Sequence, residues 1–323
     1  MSETTPSTSQ KSEPFHRSPP PLDASAVERR EQLPSAKWLL LKTLRRPRAL
    51  RAAPTLPLLS IACPLPAPEQ AWLKAYREIC ALPAGDALPL SAPQVFAVRP
   101  QLALLTDPRC PLPALGMVHC ESLISAESPI VAGEPLTLRC TLDPEARWGD
   151  RGLRFSLWTE LLQGDERRWW SQTEILSPRA AGSGGAKGPK RSARPPEAPD
   201  ARLELRDRWS LPGDLGRRYG TIAGDRNPIH LWPWSARLFG FKRPIIHGMW
   251  SLARSLSALG GGPMRPGEQL WARFQRPIML PGEVTLYSEA PPEPTPESDQ
   301  RGEERFELWL PSGKRAIEGR WKK

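Results

Sequence analysis

The side chains best placed to do chemistry lie in one short segment, from Tyr219 to His230. Asn227 followed by Pro228 predicts a helix start, because asparagine caps free backbone donors and proline suits the first helical position. His230 then falls in the first turn, where the positive helix end disfavours imidazolium, so we expect a neutral imidazole able to accept a proton. Asp225 lies just before the cap, and the two side chains are expected to converge on one water molecule as an acid/base pair.

A second element follows His230, where His247, Gly248 and Met249 open an apolar helix. Glycine at the start of a buried helix leaves a backbone N–H unscreened, which suits a carbonyl oxygen that gains negative charge. For His247 itself we favour helix capping over catalysis. An acid/base pair combined with an oxyanion donor indicates enolate chemistry.

These segments resemble a known family. The run Gly224–His230 (GDRNPIH), preceded by Tyr219 and followed by His247–Met249, looks like the signature of MaoC-like dehydratases, the R-specific enoyl-CoA hydratases with a hotdog fold. Residues 274–282 (FQRPIMLPG) are similar to that family's strand-and-turn segment. The resemblance covers about residues 55–323. The N-terminal part of this range resembles the half that lacks the motif in two-domain members of the family.

The resemblance implies a role for each candidate residue. Asp225 and His230 would hold and activate the catalytic water, Asn227 would support the loop and the water, and the Gly248 N–H would bind the thioester oxygen. The implied reaction is reversible hydration of a trans-2-enoyl thioester to the (R)-3-hydroxyacyl thioester. The thioester is expected on coenzyme A or an acyl carrier protein. We expect no cofactor and no metal, because the chain supplies all three roles and shows no metal-ligand spacing.

Two alternatives stay open beside acyl-CoA hydration. One is a 3-hydroxyacyl-carrier-protein dehydratase of lipid or polyketide synthesis. The other is a non-catalytic hotdog module that binds or scaffolds acyl thioesters, with its basic tail engaging RNA or a membrane. The intact Asp225 and His230 weigh against the second alternative.

The elements that must position these residues occur twice in the same order. A helix followed by an antiparallel sheet, repeated once, predicts an α+β fold, and with the resemblance a double hotdog. The predicted segments are a helix at 69–82 and strands at 117–124, 135–142, 153–162 and 168–176, then a strand at 202–211, helical segments at 215–239 and 247–259, and strands at 269–280, 283–290, 304–310 and 314–321.

The 40 prolines among 323 residues mark boundaries between folded parts. Residues 1–54 are expected to form an N-terminal tail, disordered to about Ser35 and basic beyond it. Residues 55–177 would be a hotdog half without the catalytic motif. A flexible linker is expected at 178–201, and the catalytic half at 202–323.

Charge and cysteine content narrow the class of protein further. No stretch is long and apolar enough for a membrane span. Much of the net charge of +10 lies in the tail and linker, which argues against a nucleic-acid partner and leaves membrane contact through the basic tail open. Five cysteines without CxxC pairs indicate reduced thiols in a cytoplasmic protein.

Two further expectations concern packing and assembly. Tryptophans 232, 234 and 250 near the motif are expected mainly in the core, and His119 is expected to be a satisfied core histidine. A catalytic half joined to a half without the motif would mimic the dimer of single hotdogs. The chain could therefore act as a monomer or pair further as a homodimer.

Overall fold

The computed structural model describes residue 15 and residues 17–43, 53–113, 116–130, 134–178, 198–289 and 302–323. Most of the predicted linker and much of the predicted tail lie outside the described residues. Within the described ranges, no helix is both long and apolar enough to cross a bilayer.

The first half places three helices between its first two principal strands. Its elements are β2 (Leu59–Leu65), α2 (Gln70–Ile79), α3 (Pro93–Phe96), α4 (Val98–Leu105), β3 (Val118–Ala126), β4 (Leu136–Gly149), β5 (Gly152–Gln163) and β6 (Glu166–Pro178). Strands β3 to β6 and α2 agree with the predicted segments, whereas β2 and the helices at residues 93–105 were not predicted. Pro93 and Pro100 lie in the first turns of α3 and α4, where the missing proline N–H is not needed.

The second half carries the candidate residues and repeats the arrangement. Its elements are β7 (Leu203–Leu211), α5 (Leu215–Ala223), a 3₁₀ turn (Pro228–His230), α6 (Pro233–Leu238), α7 (Gly248–Ala258), β8 (Gln269–Phe274), β9 (Gly282–Glu289), β10 (Glu303–Leu310) and β11 (Lys314–Lys322). The helix predicted to begin near His247 is confirmed as α7.

All strands of the two halves join in one sheet, in the order β2-β4-β5-β6-β3 followed by β8-β11-β10-β9-β7. The second half thus repeats the strand order of the first in reverse, about the antiparallel junction of β3 with β8. The predicted α+β duplication, a double hotdog, is confirmed by this topology. Because β3 and β8 meet at the centre, residues of the first half lie beside the second half.

The largest hydrophobic cluster contains residues of the sheet and of the helices. Tyr76 of α2 and Tyr219 of α5 are buried in it, their rings 6.5 Å apart, together with Leu256 of α7 and Phe306 of β10. The core therefore contains side chains of both halves. All five cysteines are free thiols, and four of them are buried.

The predicted N-terminal tail is partly folded. Residues Val27–Arg29 form a strand, β1, that pairs in parallel with β2 at the edge of the sheet. Residues Ala36–Thr43 form α1, whose Leu39 is buried in a second cluster with Leu104 of α4. The predicted disorder up to about Ser35 is therefore wrong for Val27–Arg29, because an available sheet edge pairs a segment of polar composition. Helix α1 belongs to the basic segment beyond Ser35, which was not predicted to be disordered. Residues 1–14, 16 and 44–52 lie outside the described part.

Candidate active site

The predicted loop-to-helix turn is present. Helix α5 ends at Gly224, which adopts a left-handed conformation with φ of +68° that favours glycine. The Asp225 carboxylate then accepts a hydrogen bond from the Asn227 N–H at 3.1 Å, and the Asn227 side chain accepts one from the Ile229 N–H at 3.4 Å. The predicted asparagine cap is confirmed, but it opens a 3₁₀ turn of three residues instead of a longer helix.

His230 is held as a neutral imidazole. Its Nδ1 lies 2.7 Å from the Ile245 carbonyl oxygen, which can only accept, so Nδ1 carries the hydrogen and Nε2 keeps a free lone pair. Burial lowers the pKa of His230 below its usual 6.5, and the nearby Asp225 carboxylate offsets part of that effect. Neutrality was the predicted state, but its main cause is burial, since a three-residue turn carries little helix dipole.

His247 belongs to the same cluster. Its side chain makes no capping hydrogen bond, so the predicted capping role is wrong. Instead, Nε2 donates to the Asp225 backbone carbonyl at 3.0 Å and lies 3.7 Å from the Asp225 carboxylate. The ring stacks on His230 with 3.6 Å between centroids. Burial and the neighbouring His230 lower the pKa of His247 to about 3.

Asp225 is the anionic member of this cluster. Burial alone would raise its pKa, but the imidazoles of His247 and His230 and the Asn227 N–H favour the carboxylate and bring the pKa below its ordinary value. One ligand atom from each of Asp225, His230 and His247 lies within 4.8 Å of the others, a donor set that could also hold a metal ion.

Gly248 is the first residue of α7, so its N–H has no partner within the helix. Across the described ranges no acceptor for this N–H is found. A Cβ at this position would lie 2.8 Å from the ring of Phe274 at the end of β8. Glycine is therefore required for this close approach of α7 to β8.

Two glycines of α5 let the loop pack directly on the helix, and sequence analysis did not single them out. A Cβ on Gly220 would lie 2.7 Å from the Asp225 carbonyl oxygen, and one on Gly216 would collide with the His230 carbonyl. The available signal was their spacing, because residues four apart share one helix face. Here that face packs against the loop that carries Asp225 and His230.

The first half reaches the edge of the site through His119 of β3. Its ring lies 4.7 Å from that of Phe274, and its Nε2 donates to the Glu121 carbonyl at 3.0 Å, which satisfies the partly buried histidine as predicted. Burial lowers the pKa of His119 to about 4, an effect that the Glu121 carbonyl and the Asp225 carboxylate partly offset.

The tryptophans near the motif divide between core and surface. Trp250 is buried and donates to the Ile79 carbonyl at 2.8 Å, as expected of a core residue. Trp232 and Trp234 are exposed, so their predicted place in the core is wrong.

Known proteins are similar to this chain in sequence and in fold. A family model described as "MaoC like domain" matches residues 195–289. The chain is 31% identical over 222 residues to 3-hydroxyacyl-thioester dehydratase X of Mycobacterium tuberculosis, which covers 68% of this chain and 76% of that protein. It is 34% identical over 92 residues to the enoyl-CoA hydratase ChsH3 of the same organism, covering 28% of this chain and 30% of that one. The crystal structure of HtdX from M. tuberculosis is similar with a TM-score of 0.65 and 27% identity, covering 80% of this chain and 97% of that one.

The fold and the loop define this protein as a double hotdog with an Asp–Asn–His motif in its second half. The extent of the similarity to dehydratase X settles the family. The chain belongs to the MaoC-like dehydratases.

Proposed function

We propose that the chain is a hydro-lyase that adds water reversibly to a trans-2-enoyl thioester and forms the (R)-3-hydroxyacyl thioester. Asp225 and His230 hold and activate the water, Asn227 keeps the loop in place, and the Gly248 N–H binds the thioester oxygen. Relatives named 3-hydroxyacyl-thioester dehydratase and enoyl-CoA hydratase support the reaction class. The expected product configuration follows from the resemblance to R-specific hydratases.

The observation that carries the proposal is the pairing of an ionised Asp225 with a neutral His230. Ligand atoms of the two side chains lie within 4.8 Å of each other. A water that accepts or donates two hydrogen bonds of about 2.8 Å bridges such a gap. Because His230 Nδ1 is committed to a carbonyl, its Nε2 is the atom able to take a proton from that water.

The addition of water to the enoyl thioester also needs a group that stabilises the negative charge on the thioester oxygen. When water adds at Cβ, a proton is delivered to Cα, and the thioester oxygen carries enolate charge between the two events. The Gly248 N–H at the start of α7 suits that oxygen, and such a donor is typically worth about 3 kcal/mol of barrier. We assign His247 a positioning role, because it donates to the Asp225 carbonyl and packs on His230.

We further propose that the second half performs the chemistry and that the first half completes the site. His119 and the β3–β8 junction support this division, since they bring the first half against Phe274. The thioester carrier, coenzyme A or a carrier protein, is part of the proposal, as is a cytoplasmic location, supported by the free thiols. The reaction so described needs no metal, and activity retained after chelation and dialysis would support that.

The test is loss of the conjugated enoyl-thioester absorbance with short, medium and long acyl chains, on both carriers. Asp225→Asn and His230→Ala are expected to lower kcat by about 10² to 10⁴. Asp214→Asn is the matched control, because Asp214 precedes α5 and its side chain makes no capping bond. If the wild type is no faster than the two variants on any substrate, the proposed function is wrong.

A further inference from the structure

Helix α6 forms the surface beside the catalytic loop. Its small side chains are buried, and its large apolar side chains are exposed. Ser235 and Ala236 are buried, whereas Trp234 and Leu238 are 64% and 76% exposed. Trp232, just before the helix, is 45% exposed. A surface helix ordinarily turns its large apolar side chains towards the core. The side chains of Trp232, Trp234 and Leu238 instead point into solvent.

The same surface carries positive charge that the chain does not neutralise. Residues 231–243 contain no carboxylate and three cations, Arg237, Lys242 and Arg243, and Arg217 of α5 lies over the Trp232 ring. Among the described residues none of these four cations forms an ion pair, although elsewhere pairs such as Arg139–Glu160 and Arg167–Glu127 are present. An anionic partner is therefore the complement of this surface.

One of the tryptophans is held in its exposed position. The Arg217 guanidinium lies 4.0 Å from the centre of the Trp232 ring and donates to the Leu231 carbonyl at 3.0 Å. This cation–π contact orders the ring at the surface. Exposed rings that are already ordered lose little conformational entropy when they dock.

We propose that the α6 patch, made of Trp232, Trp234, Leu238 and the cations Arg217, Arg237, Lys242 and Arg243, docks on an anionic lipid membrane surface. Tryptophan prefers the headgroup level of a bilayer, leucine gains free energy in the acyl region, and arginine and lysine attract anionic headgroups. Because Trp232 follows His230 by two residues, docking would place the catalytic loop near the lipid surface.

Lipid fits these residues better than other anionic partners do. Leu238, the most exposed of the three, has no ring with which to stack on a nucleic-acid base. A protein partner of ordinary stability needs roughly 1,200 Å² of buried area, far more than three protruding side chains supply. A fluid bilayer accepts such protrusions without a matching pocket.

The test is sedimentation of the full-length protein with vesicles of phosphatidylcholine alone or mixed with phosphatidylglycerol. Binding is expected with the anionic vesicles and should weaken as salt is raised. Trp234→Ser combined with Leu238→Ser should lower partitioning about tenfold or more. Arg237→Glu combined with Lys242→Glu should remove the preference for anionic lipid, and it tests the patch even if the first pair folds poorly.

Two control variants distinguish binding through the α6 patch from nonspecific binding through other exposed apolar side chains. Leu205→Ser on β7 removes another exposed leucine and should leave binding unchanged. Trp38→Ser combined with Leu41→Ser alters α1, where Lys42 lies over the exposed Trp38 ring. Loss of binding with the α1 pair but not with the α6 variants would overturn the proposal.

The proposal would also be overturned if the protein did not bind anionic vesicles. It would be overturned if the α6 variants abolished binding to single-stranded RNA while vesicle binding persisted. A dimer that only the α6 variants dissociate would overturn it as well. Vesicle binding does not depend on catalysis. A negative result would therefore leave the proposed hydratase activity untouched.

Discussion

The residues of the site are distinguished by the protonation states that their surroundings impose. Burial keeps His230 and His247 neutral, while the Asn227 N–H and the two rings favour the Asp225 carboxylate. The two histidines use opposite nitrogens to donate to backbone carbonyls, Nδ1 in His230 and Nε2 in His247. His230 is therefore the one whose Nε2 is free to accept a proton.

Gly248 offers a residue-scale test that separates steric from chemical effects. A Cβ at this position would lie 2.8 Å from the Phe274 ring, so Gly248→Ala should displace α7 and lower kcat/KM by about 10². Alanine keeps the backbone N–H. Gly248→Ala combined with Phe274→Ala should therefore recover part of the activity in steady-state assays, relative to Gly248→Ala alone. A double variant no better than Gly248→Ala would contradict the steric explanation.

The buried histidines predict how stability depends on pH. Their native pKa values, about 3 for His247 and about 4 for His119, lie below the ordinary 6.5. At pH values between the native pKa of each histidine and 6.5, the unfolded chain binds a proton that the native chain does not. The free energy of unfolding therefore falls as the pH decreases below 6.5. Each histidine should contribute about 1.4 kcal/mol per pH unit in this window.

Denaturant unfolding of the wild type and His119→Asn at pH 7 and pH 5 measures this dependence. The variant should lose less stability between the two pH values than the wild type does, because one buried neutral imidazole has been removed. An equal loss in both proteins would show that His119 does not contribute.

At the scale of elements, α5 is the surface on which the loop of Asp225 to His230 packs. Gly216 and Gly220 allow the loop carbonyls to approach the helix more closely than any side chain would permit. The position of the Asp225 backbone therefore depends on Gly220, a residue of α5.

Gly220→Ala tests this packing. Its Cβ would meet the Asp225 carbonyl oxygen at 2.7 Å, so the loop must shift, and kcat/KM should fall about a hundredfold in the hydration assay. Gly213→Ala is the matched control, since its Cβ would meet Pro281 at an ordinary 3.6 Å. Equal activity of Gly220→Ala and Gly213→Ala would argue against a steric role for α5.

At the scale of the whole molecule, the two halves behave as one folded unit. The β3–β8 junction carries a buried Glu121 carboxylate, 2.7 Å from Arg273, and Trp271 donates to it at 3.4 Å. The hydrophobic core is shared as well. Interactions between the halves are therefore of the same kind as those within each half.

Cleavage at a protease site engineered into residues 179–197 tests this unity. The fragments should remain associated on size-exclusion chromatography and keep most of the activity, because backbone pairing and a shared core join them. Heating should give one cooperative unfolding transition. Fragments that separate under native conditions would contradict a single folded unit. The same protease acting on the unmodified chain serves as the control.

The sequence by itself determined the features that depend on neighbouring residues. Asn227 and Pro228 specify a helical turn through local capping, Gly224 permits the left-handed bend before it, and periodicity located α7 and most strands. The α+β duplication could be predicted for the same reason, since each half has a helix-then-sheet order readable along the chain, whereas the double hotdog followed from the resemblance to the MaoC-like family.

Only the tertiary structure decided which distant residues meet. His247 reaches Asp225 from 22 residues away, and His119 arrives from the other half. The folding of β1 depends on an open sheet edge, and the exposure of Trp234 depends on which face of α6 meets the protein. Contacts between distant residues form when whole elements pack, so neither local propensity nor composition encodes them.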